Sequence, residues 1–408
     1  MVNYNGWLPQ DPEVVRKWIR KKVDVVKKVP YAAPRADVIQ EFQSLIENDP
    51  EIFMYFNQMF EQVPKDKLPP GVDDYKIMLG LFATIITEAP KYDSERAAEG
   101  EVVGVPIYAI LDQFSNTPAG LNAFINRKVN DQFKKMFTVW AEFLQSLDSR
   151  YVLEGTPEEP AWPQAIADFA DIFVCDPTDK YYGFKSWDDF FTRVFREGQR
   201  PVDFATDDSV VNSACDSTVY RIAYRANASD QFWLKGQPYS LDYMLNNDPL
   251  ASEFDKGTVF QAFLSPLDYH RWHSPVNGKI KKIVQVEGTY YAASPDPELE
   301  AGSIIASQSF MTSLATRVLI FIESDNPEIG LMCFIGVGMV EVSTCEVTVK
   351  EEEVVKKGHQ LGMFHFGGST HCLIFRREVP IVFAETIEVD TVVRVNSAIA
   401  RVGNSGVN

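Results

Sequence analysis

Apolar positions follow two different periods along this chain. From about Pro12 to Leu147 they recur every three to four residues, as in Val38-Ile39, Phe42 and Leu45-Ile46, and again in Phe53, Phe56 and Met59-Phe60. Such stripes predict amphipathic helices that turn one face to a core. Asn48-Asp49-Pro50 separates two of them, with Asp49 placed to cap the second helix and Pro50 at its first position. Lys67-Leu68-Pro69-Pro70-Gly71 marks a further turn, and the helical pattern stops in the Pro/Glu-rich stretch Gly155-Thr156-Pro157-Glu158-Glu159-Pro160. Residues 1–185 are therefore read as a helical N-terminal domain that packs or interacts rather than reacts.

Beyond that boundary the period changes. Ser186-Trp187-Asp188-Asp189-Phe190-Phe191 has the form of a capped helix start, and after Pro201 the chain turns to β-branched runs bounded by Gly, Pro and Asn. Val259 to Leu264, Lys279 to Val286, Arg317 to Glu323, Gly330 to Val340, Val342 to Val349 and Glu378 to Phe383 read as strands. Asn277-Gly278 predicts a two-residue hairpin, because both residues tolerate positive φ. Residues 186–408 should thus form an antiparallel β-rich domain, a sandwich or partly closed barrel, which makes the chain α+β as a whole. The run Val354-Val355-Lys356-Lys357-Gly358-His359-Gln360-Leu361-Gly362 resembles half of a lipoyl or biotin-carrier sandwich, but no Met-Lys-Met hairpin accompanies it and no carrier role is expected.

Composition narrows the function classes. With 408 residues, 45% hydrophobic and 12% aromatic, the chain can fill large cores. Its formal net charge of −18 repels nucleic-acid phosphates and anionic lipid head groups, so a small soluble substrate suits it better than a polyanion. No stretch approaches the roughly 18 uncharged apolar residues of a spanning helix, and Met1-Val2-Asn3-Tyr4-Asn5-Gly6-Trp7 lacks the apolar core of a signal peptide. A cytoplasmic protein without integral membrane association is expected. Cys175, Cys215, Cys333, Cys345 and Cys372 are widely spread with no CxxC pair, and should be reduced, mostly buried thiols rather than disulfides or zinc ligands.

Candidate chemistry is concentrated in a few short stretches. Near the C-terminus stands Phe364-His365-Phe366-Gly367-Gly368-Ser369-Thr370-His371. A serine hydroxyl can attack its own preceding carbonyl if that peptide leaves its relaxed planar geometry, and a preceding glycine lowers the steric cost. The hydroxyl also needs a base within hydrogen-bond reach, ideally one oriented by a carboxylate. Alone, Gly-Gly-Ser-Thr is more often a turn between strands. Upstream, Ser265-Pro266-Leu267-Asp268-Tyr269-His270-Arg271-Trp272-His273 supplies two of the five histidines, while His365 and His371 flank the serine. A His-x-x-His pair suggests metal, yet on an extended strand residues i and i+3 face opposite ways, and Pro266 and Pro275 leave no room for a helix; no metal is expected. Asp216, set among small and β-branched residues from Val210 to Val219, is the candidate carboxylate, with a turn-forming aspartate as the alternative.

These residues carry a resemblance. Asp216 in Ser213-Ala214-Cys215-Asp216-Ser217, the stretch Asp268-Tyr269-His270-Arg271-Trp272-His273-Ser274-Pro275-Val276-Asn277-Gly278 and the terminal Gly368-Ser369-Thr370 resemble the three signatures of pyruvoyl-dependent phosphatidylserine decarboxylases. Trp187-Asp188-Asp189-Phe190-Phe191-Thr192-Arg193 through Arg200-Pro201 is similar to the segment that opens their domain, so the likeness spans Ser186 to Asn408. The N-terminal half resembles the extra helical domain of the soluble L-tryptophan decarboxylases of that family, known from fungal tryptamine biosynthesis, and Asn5-Gly6-Trp7-Leu8, Lys180-Tyr181-Tyr182-Gly183-Phe184, Leu245-Asn246-Asn247-Asp248-Pro249 and Gly362-Met363-Phe364-His365-Phe366-Gly367-Gly368-Ser369 are similar to those enzymes. Gly367 stands where phospholipid decarboxylases usually carry leucine, which bears on the lipid substrate more than on self-processing.

The resemblance implies that His273, oriented by Asp216, deprotonates Ser369. An N-to-O acyl shift and β-elimination would then cut the chain between Gly368 and Ser369, leaving Ser369 as an N-terminal pyruvoyl group. The small subunit, residues 369–408, would remain a partner of the large one. In turnover the pyruvoyl ketone would form a Schiff base with the α-amine of an amino acid, His270 would return a proton as a protonated imidazole, and no pyridoxal phosphate would be needed. Phe263, Tyr291, Phe364 and Phe366 are candidates for the side-chain pocket, with ordinary core as the alternative. His371 would assist elimination or cap a strand. The preferred function is decarboxylation of an aromatic L-amino acid, tryptophan first, with tyrosine or phenylalanine as further substrates. The rival readings are a phosphatidylserine decarboxylase and a non-enzymatic β-sandwich binding module whose Gly-Ser is only a turn.

Overall fold

A computed structural model describes residues 8–9, 11–28, 36–92, 103–156, 160–229, 239–294, 307–341 and 344–403. The helical expectation holds for the first part: α1 (Pro12–Lys28), α2 (Asp37–Asn48), α3 (Pro50–Gln62), α4 (Tyr75–Ile85), α5 (Pro106–Ser115), α6 (Pro118–Ile125) and α7 (Arg127–Leu144). Asp49 caps α3 as expected, its Oδ1 accepting from the N–H groups of Glu51 at 3.1 Å and Ile52 at 3.3 Å. The stripes run through Val38, Ile39, Phe42 and Ile46 on α2 and Ile52, Phe56 and Met59 on α3, all buried; Phe53 faces outward instead. Short helices α8 (Trp162–Ala165), α9 (Phe169–Ile172) and α10 (Trp187–Phe191) lead to the sheets, α10 capped by the Ser186 hydroxyl at 3.0 Å.

The remainder is antiparallel β, as expected. Strands β2 (Ser217–Ala226), β3 (Gly257–Leu264), β5 (Gly278–Val286), β6 (Arg317–Ser324), β7 (Leu331–Met339), β9 (Val354–Val355), β11 (Gly368–Phe375) and β13 (Val392–Val393) form one eight-stranded sheet in the order β13-β2-β3-β11-β7-β6-β5-β9. Two three-stranded sheets accompany it, β1 (Val210–Asn212), β14 (Ala398–Val402) and β12 (Ile381–Phe383) in one, β4 (Arg271–His273), β10 (Gln360–Phe364) and β8 (Cys345–Val347) in the other. Side chains of the large sheet alternate between two cores. Cys333, Ile335, Val337, Met339, Cys372 and Ile374 join the core shared with the helices. Phe334, Leu373 and Phe375, with Phe260, Val318 and Ile320, join a second core that includes Trp272 and Phe364 from β4 and β10. The helices and the large sheet therefore share one continuous apolar interior.

The expected Asn277-Gly278 hairpin does not form: β4 pairs with β10, and β5 with β6 and β9. Asn277 instead ties three segments together, donating to Ala205 O at 3.1 Å and to Asp208 at 2.6 Å while accepting from Lys357 N at 2.9 Å. Gly278 serves close approach rather than a turn, because a Cβ there would lie 2.3 Å from Glu323 O. All five cysteines are free thiols, three of them buried. No helix among the described residues is long and apolar enough to cross a membrane.

Candidate active site

Four strands of the large sheet place their ends in one row. Thr218 of β2, Phe263 of β3, Thr370 of β11 and Val337 of β7 are successive register partners, so Ser217, Leu264, Ser369 and Gly338 mark one end of the sheet. The Gly-Gly-Ser segment is thus no turn. Gly367, at φ 146°, swings the chain into β11, and Gly368 and Ser369 open a fully buried central strand. Ser369 and His371 share the parity of Leu373 and Phe375 and face the second core; Gly368 and Thr370 face the helices. Glycines at 336 and 338 stand opposite His371 and Ser369, and the space at Gly336 is taken by Phe364, 3.3 Å from a Cβ built there.

The Ser369 hydroxyl is fully buried and makes no hydrogen bond. Leaving a buried hydroxyl unpaired costs roughly 1–3 kcal/mol, which a purely structural serine would avoid by bonding to a neighbouring carbonyl. His371 is buried beside Phe334 and Phe260; burial lowers its pKa to about 3, the Ala262 carbonyl partly offsetting it. It is a neutral ring here.

His270, on the loop that leaves β3, and His273, at the end of β4, occupy different environments. The His273 ring meets the Gly358 carbonyl at 2.7 Å through Nδ1 and the Tyr269 hydroxyl at 3.0 Å through Nε2. With Nδ1–H donating to that carbonyl, Nε2 keeps its lone pair, the form a general base requires. Burial lowers its pKa, so the ring is neutral near pH 7. The direct Asp216–His273 contact expected from the resemblance is not made. Asp216 accepts from Arg200 Nε at 3.2 Å and Nη2 at 2.8 Å and from Val395 N at 2.7 Å. Its negative charge still acts on His273, favouring the protonated ring, while the Gly358 carbonyl sets the tautomer.

His270 is fully buried and stacked on Phe191, ring centroids 3.8 Å apart and planes at 14°. Burial, then the charge of Arg193, lowers its pKa to about 3. The protonated His270 expected for turnover is therefore not the resting form, because a desolvated ring beside a guanidinium cannot hold a second proton. Arg193 is itself buried, donating to the carbonyls of Leu267 at 2.5 Å and Asp268 at 2.7 Å. Asp268 caps the same loop through Ser265 N at 2.6 Å, and burial raises its pKa to about 6.

Comparison with known proteins connects this geometry to a family. A phosphatidylserine decarboxylase family model matches residues 187–401, and a second model of the same description matches residues 36–168. The chain belongs to the phosphatidylserine decarboxylase family. It is 38% identical to an L-tryptophan decarboxylase of Psilocybe cubensis, over 89% of this chain and 85% of that one. An L-tryptophan decarboxylase of Psilocybe cyanescens is 36% identical over 97% of this chain and 94% of its own. A decarboxylase of Amanita muscaria is 43% identical over 79% of this chain and 99% of its own. Family membership makes the chain a carboxy-lyase.

Within this decarboxylase the aromatic candidates divide between the two faces of the sheet. Phe364 packs on Trp272 at 5.3 Å in the second core, on the Ser369 side. Phe366 joins the helix-side core, 5.6 Å from Phe191 and 5.3 Å from Trp140 of α7, and so stands behind His270. Tyr291 packs on the same helix through Phe133 at 5.0 Å and Phe137 at 6.1 Å. Phe263 is buried on β3 opposite Thr370. Sequence reasoning missed Phe191, whose stacking partner is 79 positions away, and Gly358, which acts through its backbone. It also missed the linkage of His365 to Asp188 at 2.9 Å and Glu346 at 2.9 Å, which raises the His365 pKa against the effect of burial.

Proposed function

We propose that this protein is a self-processing decarboxylase of an aromatic L-amino acid, with L-tryptophan the preferred substrate and L-tyrosine or L-phenylalanine further ones. The observation that carries this reading is likeness along the whole chain: the L-tryptophan decarboxylase of Psilocybe cyanescens aligns over 97% of it, helical half included. An interior of stacked aromatics behind His270 is consistent with an aryl side chain.

In the processing step, Nε2 of His273 takes the Ser369 hydroxyl proton and the oxygen attacks the Gly368 carbonyl carbon. The Gly368–Ser369 amide becomes an ester; elimination across Ser369 then releases the Gly368 carboxylate, and hydrolysis of the resulting dehydroalanine yields ammonia and an N-terminal pyruvoyl group. The unpaired, buried Ser369 hydroxyl and the neutral His273 ring suit the first step, although Nε2 must exchange the Tyr269 hydroxyl for that of Ser369 and a change of backbone or rotamer must bring them together. Asp216, with Arg200, holds the Val395 backbone and so anchors the segment that follows the cut. Once formed, the pyruvoyl group supplies a ketone that holds the substrate amine and draws electrons as CO₂ leaves, with no pyridoxal phosphate. His270 starts neutral; a substrate carboxylate brought against it would raise its proton affinity, letting it collect the proton that replaces CO₂. The family model's own description keeps phosphatidylserine as the second reading. On this reading the protein acts in the cytosol and keeps residues 369–408 as its small subunit.

Incubating the purified protein with a panel of L-amino acids and phosphatidylserine vesicles, then identifying the amines by mass spectrometry, tests the assignment. Tryptamine is expected as the main product; phosphatidylethanolamine alone would replace the reading with its rival.

A further inference from the structure

Beyond β7 the chain makes an abrupt bend. Val340 and Glu341 adopt φ of 54° and 42°, a left-handed conformation that is strained for any residue with a side chain and especially for a β-branched one. The bend carries Glu341, fully buried, to the N-terminus of α5, where its Oε1 accepts from Ile107 N and Tyr108 N, each at 3.0 Å. Its backbone N–H donates to the Tyr291 hydroxyl at 3.1 Å. Oε2 is also buried and makes no hydrogen bond.

An ordinary helix cap does not require this arrangement. A serine, threonine or asparagine would supply the acceptor for α5 without burying a second carboxyl oxygen, which goes unsatisfied here. Burial raises the Glu341 pKa to about 8 even though two backbone donors and the neighbouring Tyr291 hydroxyl oppose the shift. The position also matters. Met339 is the register partner of Gly368, so Glu341 lies two residues past the peptide to be cut and at the same end of the sheet as Ser369. The α7 stripe of Phe133, Phe137 and Trp140 then runs from Tyr291, beside Glu341, to Phe366 behind His270.

We propose that Glu341 determines substrate specificity, its free Oε2 accepting the aryl N–H of an indole side chain. This rests on the aromatic amino acid reading above and names the group that distinguishes tryptophan from phenylalanine. Two backbone N–H groups saturate and fix Oε1, leaving Oε2, beside the Tyr291 hydroxyl, as the carboxyl oxygen with acceptor capacity to spare. Indole is a donor-only group of matching polarity. Its N–H favours the ionised carboxyl, offsetting part of what burial costs.

The test compares processed wild-type enzyme on L-tryptophan and on 3-(3-benzothienyl)-L-alanine, which has the same shape with sulfur in place of N–H. A kcat/KM ratio of about 10- to 100-fold in favour of tryptophan is expected, because the analogue leaves a buried acceptor unpaired. In Glu341→Gln the side-chain carbonyl can still cap α5 while the amide presents N–H towards the substrate, and the ratio should fall to about one or below. A purely structural cap would lower both activities together and leave the ratio unchanged. Equal kcat/KM for the two substrates in wild type would overturn the inference while leaving the aromatic decarboxylase reading intact. Turnover of neither would remove that reading and the inference with it.

Discussion

At the residue scale, the account depends on three polar groups: the unpaired Ser369 hydroxyl, Nε2 of His273, held by the Tyr269 hydroxyl, and the His270 ring with Nδ1 unpaired. Ser369→Ala should leave the chain whole and inactive on a denaturing gel. His273→Ala should slow cleavage at least about 100-fold, the usual scale for loss of a general base, whereas His270→Ala should permit cleavage and impair decarboxylation. Complete cleavage of the His273 variant would remove it from the base role. Burial holds the His273 pKa below its ordinary 6.5, so the base is already deprotonated above that pH. The cleavage rate should be flat from about pH 7 upward and fall in acid as the ring is protonated, measured by following band conversion in freshly refolded chain. Sequence reading located all three residues because they stand in short, chemically dense stretches. It did not reveal that Asp216 bonds to Arg200 and Val395, since those partners come from separate segments and nothing in Ser213 to Ser217 records them.

Individual elements show why some of the fold was legible and some was not. Long strands such as β3, β6 and β7, buried on both faces, follow from their continuous apolar runs. The strand β11 does not, because its first half, Gly368-Ser369-Thr370-His371, lacks the apolar residues that mark a strand; it is held between β3 and β7 and buried by a core on each face of the sheet. Asn277-Gly278 misleads for a related reason, since the tight position of Gly278 against Glu323 is a tertiary constraint. Gly278→Ala should destabilise by about 1–3 kcal/mol, the range for overpacking a fitted site, and a thermal melt indistinguishable from wild type would contradict that close approach. The α5 cap gives a second test. The folded pKa of Glu341, about 8, lies above its ordinary 4.5, so its contribution to stability is complete below about pH 4.5 and is lost as pH rises through 8. Between pH 6.5 and 9 the Tm of wild type should fall further than that of Glu341→Gln. Parallel curves would show that this carboxyl does not titrate in that window.

For the whole molecule, the decisive feature is where the cut falls. Residues 369–408 supply β11 at the centre of the large sheet, β13 at its edge, and β12 and β14 beside β1. Cleavage should therefore yield two fragments that separate only on denaturation and co-elute under native conditions; release of the small fragment from folded protein would contradict this topology. The helices share a core with the sheet, which ties the N-terminal half to the reacting end rather than leaving it as a separate module. The central claim is that Ser369 is consumed in making the working enzyme. Intact mass measurement of the purified, denatured protein tests it most directly. The expected result is two polypeptides, one ending at Gly368 and the other beginning with a pyruvoyl group in place of Ser369. A single full-length chain that nevertheless decarboxylates its substrate would contradict the account.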